Sequence, residues 1–402
     1  MTSSANPLEA QERNQLIDVL RGFAILGILM ANLEGWVVFA LPPDQAALLM
    51  TSTVDQASEV FLSLFVENKF ITLFCLLFGY GFGVIIERMT AKGIPLVSFF
   101  MRRMFILLIL GLIHMGLWWG EILSTYALCG MLLLLFHKVS DRGLLIWGAV
   151  LLFFVGPFIQ YLKLYFYVED GAAIGQLYTE YLAAIRSANL LKIYEYNYKM
   201  LNAIIIQDWS QFRDMAEVLG KFIFGYYVLR KKLLSPSTFS VSLFKKVQLI
   251  VLPIALIYLA EKAFIHFSHL EITDKWLRLV IYTFDRFGIL SLTLFYATTI
   301  SILYYTDKLK VLTTTFRPVG MMSLTNYLTH TAFYVLFFYG IGFGMLGVLH
   351  LQWMIPIALV IYSLQVIFSK YWMSKMQYGP IEWLWRQATY GKRLPLFRVN
   401  RK

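Results

Sequence analysis

The stretch LIDVLRGFAILGILMANLEGWVVF (Leu16–Phe39) decides the fold class. It is long enough to cross a bilayer, for which a helix needs roughly 20 apolar residues. Yet it carries Asp18, Arg21 and Asn32. Placing such groups in hydrocarbon costs about several kcal/mol each, so they are normally retained for a function. At 100° per residue, Asp18, Arg21, Gly22, Ile25, Leu29, Asn32 and Trp36 share one face of a helix. Asp18 and Arg21 are three apart and can pair along the helix surface. Asn32 lies roughly 21 Å beyond Asp18 along the axis, from the 1.5 Å rise per residue. Deep in a bilayer it needs an interhelical partner.

Composition extends this reading to the whole chain. Hydrophobic residues make up 59% of the 402 residues, aromatics 17% and charged residues 15%. A soluble domain carries about 25% charged residues and interrupts its apolar runs sooner. Apolar runs recur at about 16–39, 61–86, 101–119, 122–137, 144–167, 215–230, 247–267, 278–305, 319–344 and 353–373. The expectation is an all-α, polytopic integral membrane protein of about ten transmembrane helices, forming a single membrane domain over 1–402. Residues 172–213 differ: Tyr178, Leu182, Ile185 and Leu190 recur at helical spacing among polar residues, which predicts an amphipathic segment at the interface.

Orientation follows the lysines and arginines. They collect after the second, fourth, sixth and eighth runs: Arg88, Lys92, Arg102 and Arg103; Lys138 and Arg142; Arg230, Lys231, Lys232, Lys245 and Lys246; Lys308, Lys310 and Arg317. A basic tail at about 375–402 adds Lys392, Arg393, Arg398, Arg401 and Lys402, while Asp44, Asp55, Glu59, Asp170, Glu271 and Asp274 mark the opposite connections. Both termini are therefore expected in the cytoplasm of a bacterial-type inner or plasma membrane. The net charge of +11 reads as topology, and no nucleic-acid partner follows from it. Membrane lipids are the expected partners, and a homo-oligomer remains open. The polar stretch Met1–Glu12 and the long first run do not resemble a cleavable signal. Cys75 and Cys129 both fall in apolar runs, against a disulfide framework or a thiolate metal site.

A second polar constellation lies in RRMFILLILGLIHMGLWWGEILSTYALCG (Arg102–Gly130). His114 and Glu121 are seven apart and share a face if the helix continues through Gly120. A carboxylate beside an imidazole fixes its tautomer and raises its basicity, as a general base requires. Trp118 and Trp119 are expected at the outer interface, where amphipathic rings concentrate.

These motifs carry a resemblance. The run D-x-x-R-G-x-A-x-x-G-I-x-x-x-N (Asp18–Asn32) resembles the opening of the YeiB-type membrane proteins, as do KFITLFCLLFGYGFG (Lys69–Gly83), the Gly111–Leu128 run, SLTNYLTH (Ser323–His330) and GPIEWLWRQATYGK (Gly379–Lys392). At Glu121 the family more often has Asp. The family is itself distantly similar to transmembrane acyltransferases such as the heparan-glucosaminide N-acetyltransferase. That similarity implies transfer of an acyl group from a cytoplasmic thioester to a small-molecule, glycan or lipid acceptor across the membrane. Asp18, Arg21 and Asn32 match the acetyltransferase's opening motif. Its catalytic histidine would fall in EGWVVFALPPDQ (Glu34–Gln45), which contains none, so His114 is the candidate for that role.

The remaining candidates carry blander readings beside the functional ones. Lys69, Arg102, Arg103 and Arg386 could clamp the phosphates of an acyl-coenzyme A donor, or simply obey the charge rule. No tightly bound cofactor is implied. His330 follows Asn326 by four residues and is expected to bond to it. Asp285 and Arg286 are adjacent, point 100° apart and are expected to bond to different helices. His266, His269, Glu271 and Asp274 have spacing that could ligate a metal, but read better as a solvated loop, so no metal site is expected. Gly79, Gly83, Gly340 and Gly344 have the small-xxx-small spacing of closely packed membrane helices. Two functions fit. In an acyltransferase, His114, Glu121 and Asn32 are catalytic and Asp18, Arg21, Lys69, Arg102, Arg103 and Arg386 bind substrate. In a transporter or exporter of a small polar or amphipathic molecule, the same groups with Asp285, Arg286, Asn326 and His330 form the site. Neither inverted repeats nor broken helices are evident, which favours the enzyme.

Overall fold

A computed structural model describes residues 14–38, 40–168, 170–268 and 270–398. Met1–Glu12, Phe39, His269, Arg401 and Lys402 lie outside the described residues. Every regular element described is helical: α1 (Gln15–Val38), α2 (Pro43–Ala47), α3 (Thr53–Phe65), α4 (Lys69–Ala91), α5 (Leu96–Met115), α6 (Leu123–Leu133), α7 (Asp141–Val150), α8 (Gly156–Phe166), α9 (Gly171–Arg186), α10 (Leu190–Leu201), α11 (Ser210–Arg230), α12 (Val241–Ser268), α13 (Lys275–Tyr305), α14 (Lys310–Met321), α15 (Ser323–Phe338), α16 (Met354–Lys375) and α17 (Pro380–Tyr390).

Among the described residues, seven segments are long and apolar enough to cross a membrane: Gln15–Val37, Thr53–Ala91, Leu96–Met115, Asp141–Phe166, Val241–Ser268, Lys275–Tyr305 and Leu351–Lys375. Three of the ten expected runs do not qualify. The run Leu123–Phe136 is too short. α11 is polar for its length, carrying Arg213, Asp214, Glu217 and Lys221. The run expected at 319–344 is broken into α14 and α15 at Met322, and the chain past Phe338 turns.

α1 is the hub. Its apolar window is 67% buried, against 22% for those of α5 and α12. It packs on α4, α14, α15 and α16. Two glycines bring α1 and α14 into backbone contact: a Cβ on Gly22 would stand 1.9 Å from the Phe316 carbonyl oxygen, and one on Gly320 1.8 Å from that of Asp18. No side chain fits there, so the crossing depends on glycine at both places. α4 meets α11 the same way, Gly79 against the backbone of Phe222 and Gly225 against that of Leu76. By contrast, Gly340–Gly347 form a turn, with Gly344 and Gly347 at φ 65° and 84°, so the expected helix packing there is corrected. On the outside of α12, Leu249, Ile250, Phe264 and Phe267 are each at least 66% exposed. An apolar surface of that kind suits lipid rather than water.

Two sequence expectations about helix continuity also change. Thr53–Ala91 is a broken helix: α3 stops at Phe65, Asn68 takes a left-handed φ of 62°, and α4 starts at Lys69. Asp55 and Glu59, expected in an outer loop, therefore lie on α3. Asp55 closes a capping box with Ser52 and accepts from the Gln352 amide at 2.8 Å. Between α7 and α8, Leu151–Val155 form a π turn just before Pro157. Proline lacks the N–H and its ring clashes with the preceding turn, so widening the helix there relieves both.

The amphipathic segment forms the α9–α10 hairpin, which buries Tyr181, Leu182, Ile185 and Ile193 but leaves Leu190 50% exposed. Asn197 of α10 grips the turn between α5 and α6: its Oδ1 accepts from Trp119 N at 3.0 Å, and its Nδ2 donates to Gly116 O at 3.1 Å. Glu180 ties the two arms together, accepting from Gln176 at 2.8 Å and Tyr196 at 3.2 Å. Those two donors hold its carboxyl below the usual range.

Candidate functional site

α1 and α4 run antiparallel, and three contacts fix their register. Gly81 faces the Arg21 guanidinium, a Cβ there lying 3.1 Å from it; Gly27 seats the Phe70 ring; Glu34 faces Glu67. The Asp18–Arg21 end and the Glu34–Lys69 end are therefore opposite ends of the same helix pair. Lys69 was grouped with the cytoplasmic arginines, and this geometry corrects that. It is 1% exposed, donates to the Ser63 carbonyl at 2.5 Å and sits 5.1 Å from the Tyr258 ring centroid.

The other expected donor-site residues do gather. Asp18 and Arg21 form an ion pair of 3.7 Å. Arg103 of α5 stacks on Trp385 of α17, its guanidinium carbon 3.6 Å from the ring centroid, while Trp385 Nε1 donates to the Arg103 carbonyl at 3.0 Å. Arg21 and Arg386 are both close enough to act on Arg103 electrostatically. Arg102 lies against Gly391 just beyond α17. Glu382 of α17 caps α15, accepting from the amides of Leu324 at 2.7 Å and Thr325 at 3.1 Å. The GPIEW motif thus fastens α17 under α15 and sets Arg386 beside Arg103.

The second constellation assembles differently from its sequence reading. α5 stops at Met115, and a turn rather than a continuous helix carries the chain to Glu121. Even so, His114 Nδ1 lies 3.6 Å from Glu121 Oε2. Glu121 is held by the start of α6, accepting from the amides of Leu123 at 2.7 Å and Ser124 at 2.8 Å. Both amides belong to the first turn of α6. On the other side of the imidazole, Nε2 meets Thr331 Oγ1 of α15 at 2.7 Å. Glu121, His114 and Thr331 thus form a row of carboxylate, imidazole and hydroxyl, all less than 9% exposed.

Aromatic rings seal the row. Tyr327 stands 5.5 Å from the His114 ring and 6.2 Å from His330. Trp36 stacks on Tyr334 at 4.3 Å and meets Trp118 edge-on at 6.0 Å. Trp118 and Trp119 are 6% and 8% exposed, so they belong to this core and not to an outer interface. His330 does not bond to Asn326; its Nε2 lies 3.4 Å from Gln365 Oε1. Gln365 in turn donates to the Asn326 carbonyl at 2.9 Å, and Asn326 donates to Ser369 at 3.2 Å. Gln365, one turn before Ser369 on α16, was the partner the sequence spacing could not supply. Asn32 is half-buried and makes no side-chain hydrogen bond among the described residues, contrary to the expected interhelical partner.

Asp285 and Arg286 bond to different helices. Asp285 pairs with Lys262 of α12 at 2.8 Å. Arg286 donates to both Glu217 oxygens, at 2.8 and 3.0 Å. Glu217 also takes the Tyr282 hydroxyl and lies 3.5 Å from Lys221. Glu217, Lys221 and Arg286 line, with Asn68 and Thr72, a cavity of about 20 Å³, room for one water. A larger groove of about 570 Å³ lies elsewhere, along Tyr304, Tyr305, Arg317 and Gln15. Neither joins Arg21, Asn32 and His114. No cluster of three or more metal-ligating side chains is found among the described residues, and both cysteines are free and buried.

The sequence reading missed Glu34, Glu67, Glu217, Lys221 and Thr331. Glu34 stood in plain view, a carboxylate in the first apolar run two residues after Asn32. Glu217 and Lys221 were also visible as an i, i+4 pair inside an apolar run. Thr331 gave no signal, since a threonine next to a histidine is ordinary in any helix.

What emerges is an all-helical protein with membrane-length helices and several ionisable groups buried between them. The chain belongs to a family described as "Protein of unknown function (DUF418)", whose model matches residues 228–392. It is 32% identical to the uncharacterized protein YxaH of Bacillus subtilis, an alignment covering 96% of this chain and 97% of that one. It is 29% identical to an uncharacterized 39.9 kDa protein in the amylase 3′ region of Bacillus acidopullulyticus, covering 97% and 98%. It is 27% identical to the uncharacterized protein YeiB of Escherichia coli, covering 94% and 96%. No solved structure matches this chain.

Proposed function

We propose that this protein is an integral membrane acyltransferase of the bacterial inner membrane, with ten crossings and both termini in the cytoplasm. The observation that supports it is the Glu121–His114–Thr331 row. An imidazole whose Nε2 already accepts or donates to a hydroxyl at 2.7 Å, with a carboxylate behind its Nδ1, is arranged to draw a proton from an attacking hydroxyl. In this reading Thr331 marks where the acceptor's hydroxyl or amine enters. His114 takes the acceptor's proton as its oxygen or nitrogen attacks the thioester carbonyl, then returns it to the departing thiolate. Glu121 stabilises the imidazolium between those steps. Asn32, half-buried at a similar distance along α1, supplies a donor for the oxyanion.

Arg21, Arg103 and Arg386 gather where an anionic donor would enter. About eleven residues separate Arg103 from His114 along α5, or roughly 16 Å at 1.5 Å per residue, within reach of an extended thioester arm. The transport reading needs Asp285 and Arg286 to face a pathway, and both are instead held in pairs with Lys262 and Glu217.

The test uses purified protein in lipid nanodiscs with acetyl- and longer acyl-coenzyme A. Calorimetry is expected to give saturable binding that Arg103→Ala weakens and His114→Gln leaves intact. Transfer of radiolabelled acyl groups into membrane extracts should fall about 100-fold or more in His114→Gln, the usual scale for a lost general base. Absence of thioester binding in the wild type, or full transfer by His114→Gln, would overturn the proposal.

A further inference from the structure

The groups around Glu34 are used by neither end of that site. Glu34 is 5% exposed, and its Oε2 has no hydrogen-bond partner. The Glu67 carboxyl faces it within hydrogen-bonding reach. Glu67 sits in the break between α3 and α4, next to the left-handed Asn68. Non-helical backbone at membrane depth persists only where it is buried or lines a site. The break exposes the Ser63 carbonyl, which Lys69 satisfies, and so fixes the ammonium beside the two carboxyls.

The charges facing this pair are Glu59 of α3, Lys69 of α4 and Lys262 of α12, and Asp285 of α13 faces Lys69. Lys262 is engaged elsewhere, 2.8 Å from Asp285 and 3.8 Å from Glu261. Lys69 then remains to balance Glu34 and Glu67 together, one positive charge against two carboxyls. Two carboxylates in hydrogen-bonding reach cannot both stay ionised; the contact requires a proton between them.

We propose that Glu34 and Glu67 form a proton-binding site, holding one exchangeable proton between them with Lys69 as its counter-charge. The ligand is a proton from solvent, and the site is separate from the Glu121–His114–Thr331 row. Any movement that parts α1 from the α3–α4 break releases that proton and leaves two carboxylates facing one lysine. Closure takes it up again.

Infrared difference spectroscopy of the purified protein in nanodiscs tests this. At neutral pH the wild type is expected to show the carbonyl stretch of a protonated carboxyl, shifted downward in D2O. Both Glu34→Gln and Glu67→Gln should abolish it, because the remaining carboxylate then pairs with Lys69. Glu121→Gln should keep it. As a second readout, acidification from alkaline pH should load about one proton more per chain into the wild type than into the Glu34→Gln, Glu67→Gln double variant. Should one glutamine variant fail to fold, Glu34→Asp is expected to keep the band at a shifted frequency. A wild type without a protonated carboxyl at neutral pH, or a band that survives in a folded glutamine variant, would overturn the proposal.

Discussion

Arg286→Met isolates the energetics of the buried charges between α11 and α13. Arg286 contributes two contacts to Glu217, at 2.8 and 3.0 Å, and all the groups involved are largely removed from solvent. Removing one partner of a buried pair costs about 3–5 kcal/mol, because the other charge is left uncompensated. Here Lys221 remains 3.5 Å from Glu217 and the Tyr282 hydroxyl still donates to it. The loss should therefore sit near the lower end, about 3 kcal/mol. For a chain of this size, extrapolating the per-residue scaling of unfolding entropy gives a fall of roughly 3–6 °C in melting temperature. Replacing the whole group by apolar side chains, Glu217→Leu with Lys221→Leu and Arg286→Met, removes every buried charge together. Such replacements are commonly neutral or stabilising. The triple variant should melt at or above the wild type, a strongly non-additive result. Thermal unfolding in one detergent, followed by intrinsic fluorescence, reads both. A single variant as stable as the wild type, or a triple variant less stable than the single, would refute the reasoning.

Four further outcomes follow from the surroundings of single residues. Gly320→Val drives a side chain into the Asp18 carbonyl and should cost about 1–3 kcal/mol or more, seen as loss of monodisperse protein on extraction. Gly175→Ala, which meets nothing within 4 Å on α9, should instead stabilise by about 0.5–1 kcal/mol. Asn197→Ala removes the grip on the α5–α6 turn and leaves the Trp119 amide unsatisfied, at about 1–3 kcal/mol. Hydrogen exchange at Trp119 should accelerate by about tenfold or more if that energy holds the turn closed. The Glu180 bridge has a pH sign: its carboxyl is held below the usual range, so its contribution is present above the ordinary glutamate value of about 4.3 and is lost as pH falls further. Protection in α9, corrected for the intrinsic pH dependence of amide exchange, should therefore fall below about pH 4 in the wild type and stay constant in Glu180→Gln.

Local signals made part of this arrangement readable in the sequence. The Asp18–Arg21 pair and the meeting of His114 with Glu121 depend on residues three and seven apart, and short spacing constrains geometry even through a turn. Clustering of Arg103 with Arg386 was suggested only by shared charge. Stacking of Arg103 on Trp385, which sets it, joins residues almost three hundred positions apart. Lys69 was misplaced because charge alone was used to assign it a side, while its position at the start of α4 puts it opposite Arg21. The break at Val66–Asn68 was missed because VENK contains neither glycine nor proline, the usual markers of an interrupted helix. Of the ten apolar runs, seven are membrane-length helices among the described residues; the others are short at Leu123–Phe136, polar in α11 and divided between α14 and α15. α11 is the instructive case: Glu217 is held by Tyr282 and Arg286 of α13, Lys221 by Glu217, and Arg213 by Asp214 and Gln160.

The close crossing of α1 and α14 has a consequence for how the chain is made. α1, carrying Asp18, Arg21 and Glu34, leaves the ribosome some three hundred residues before Gly320 and the helices α14, α15 and α16 that pack on it. For most of synthesis the most buried helix of the finished protein has no permanent neighbours on that side. A chain interrupted before residue 320 keeps an intact membrane anchor but leaves the α14 side of α1 open to lipid.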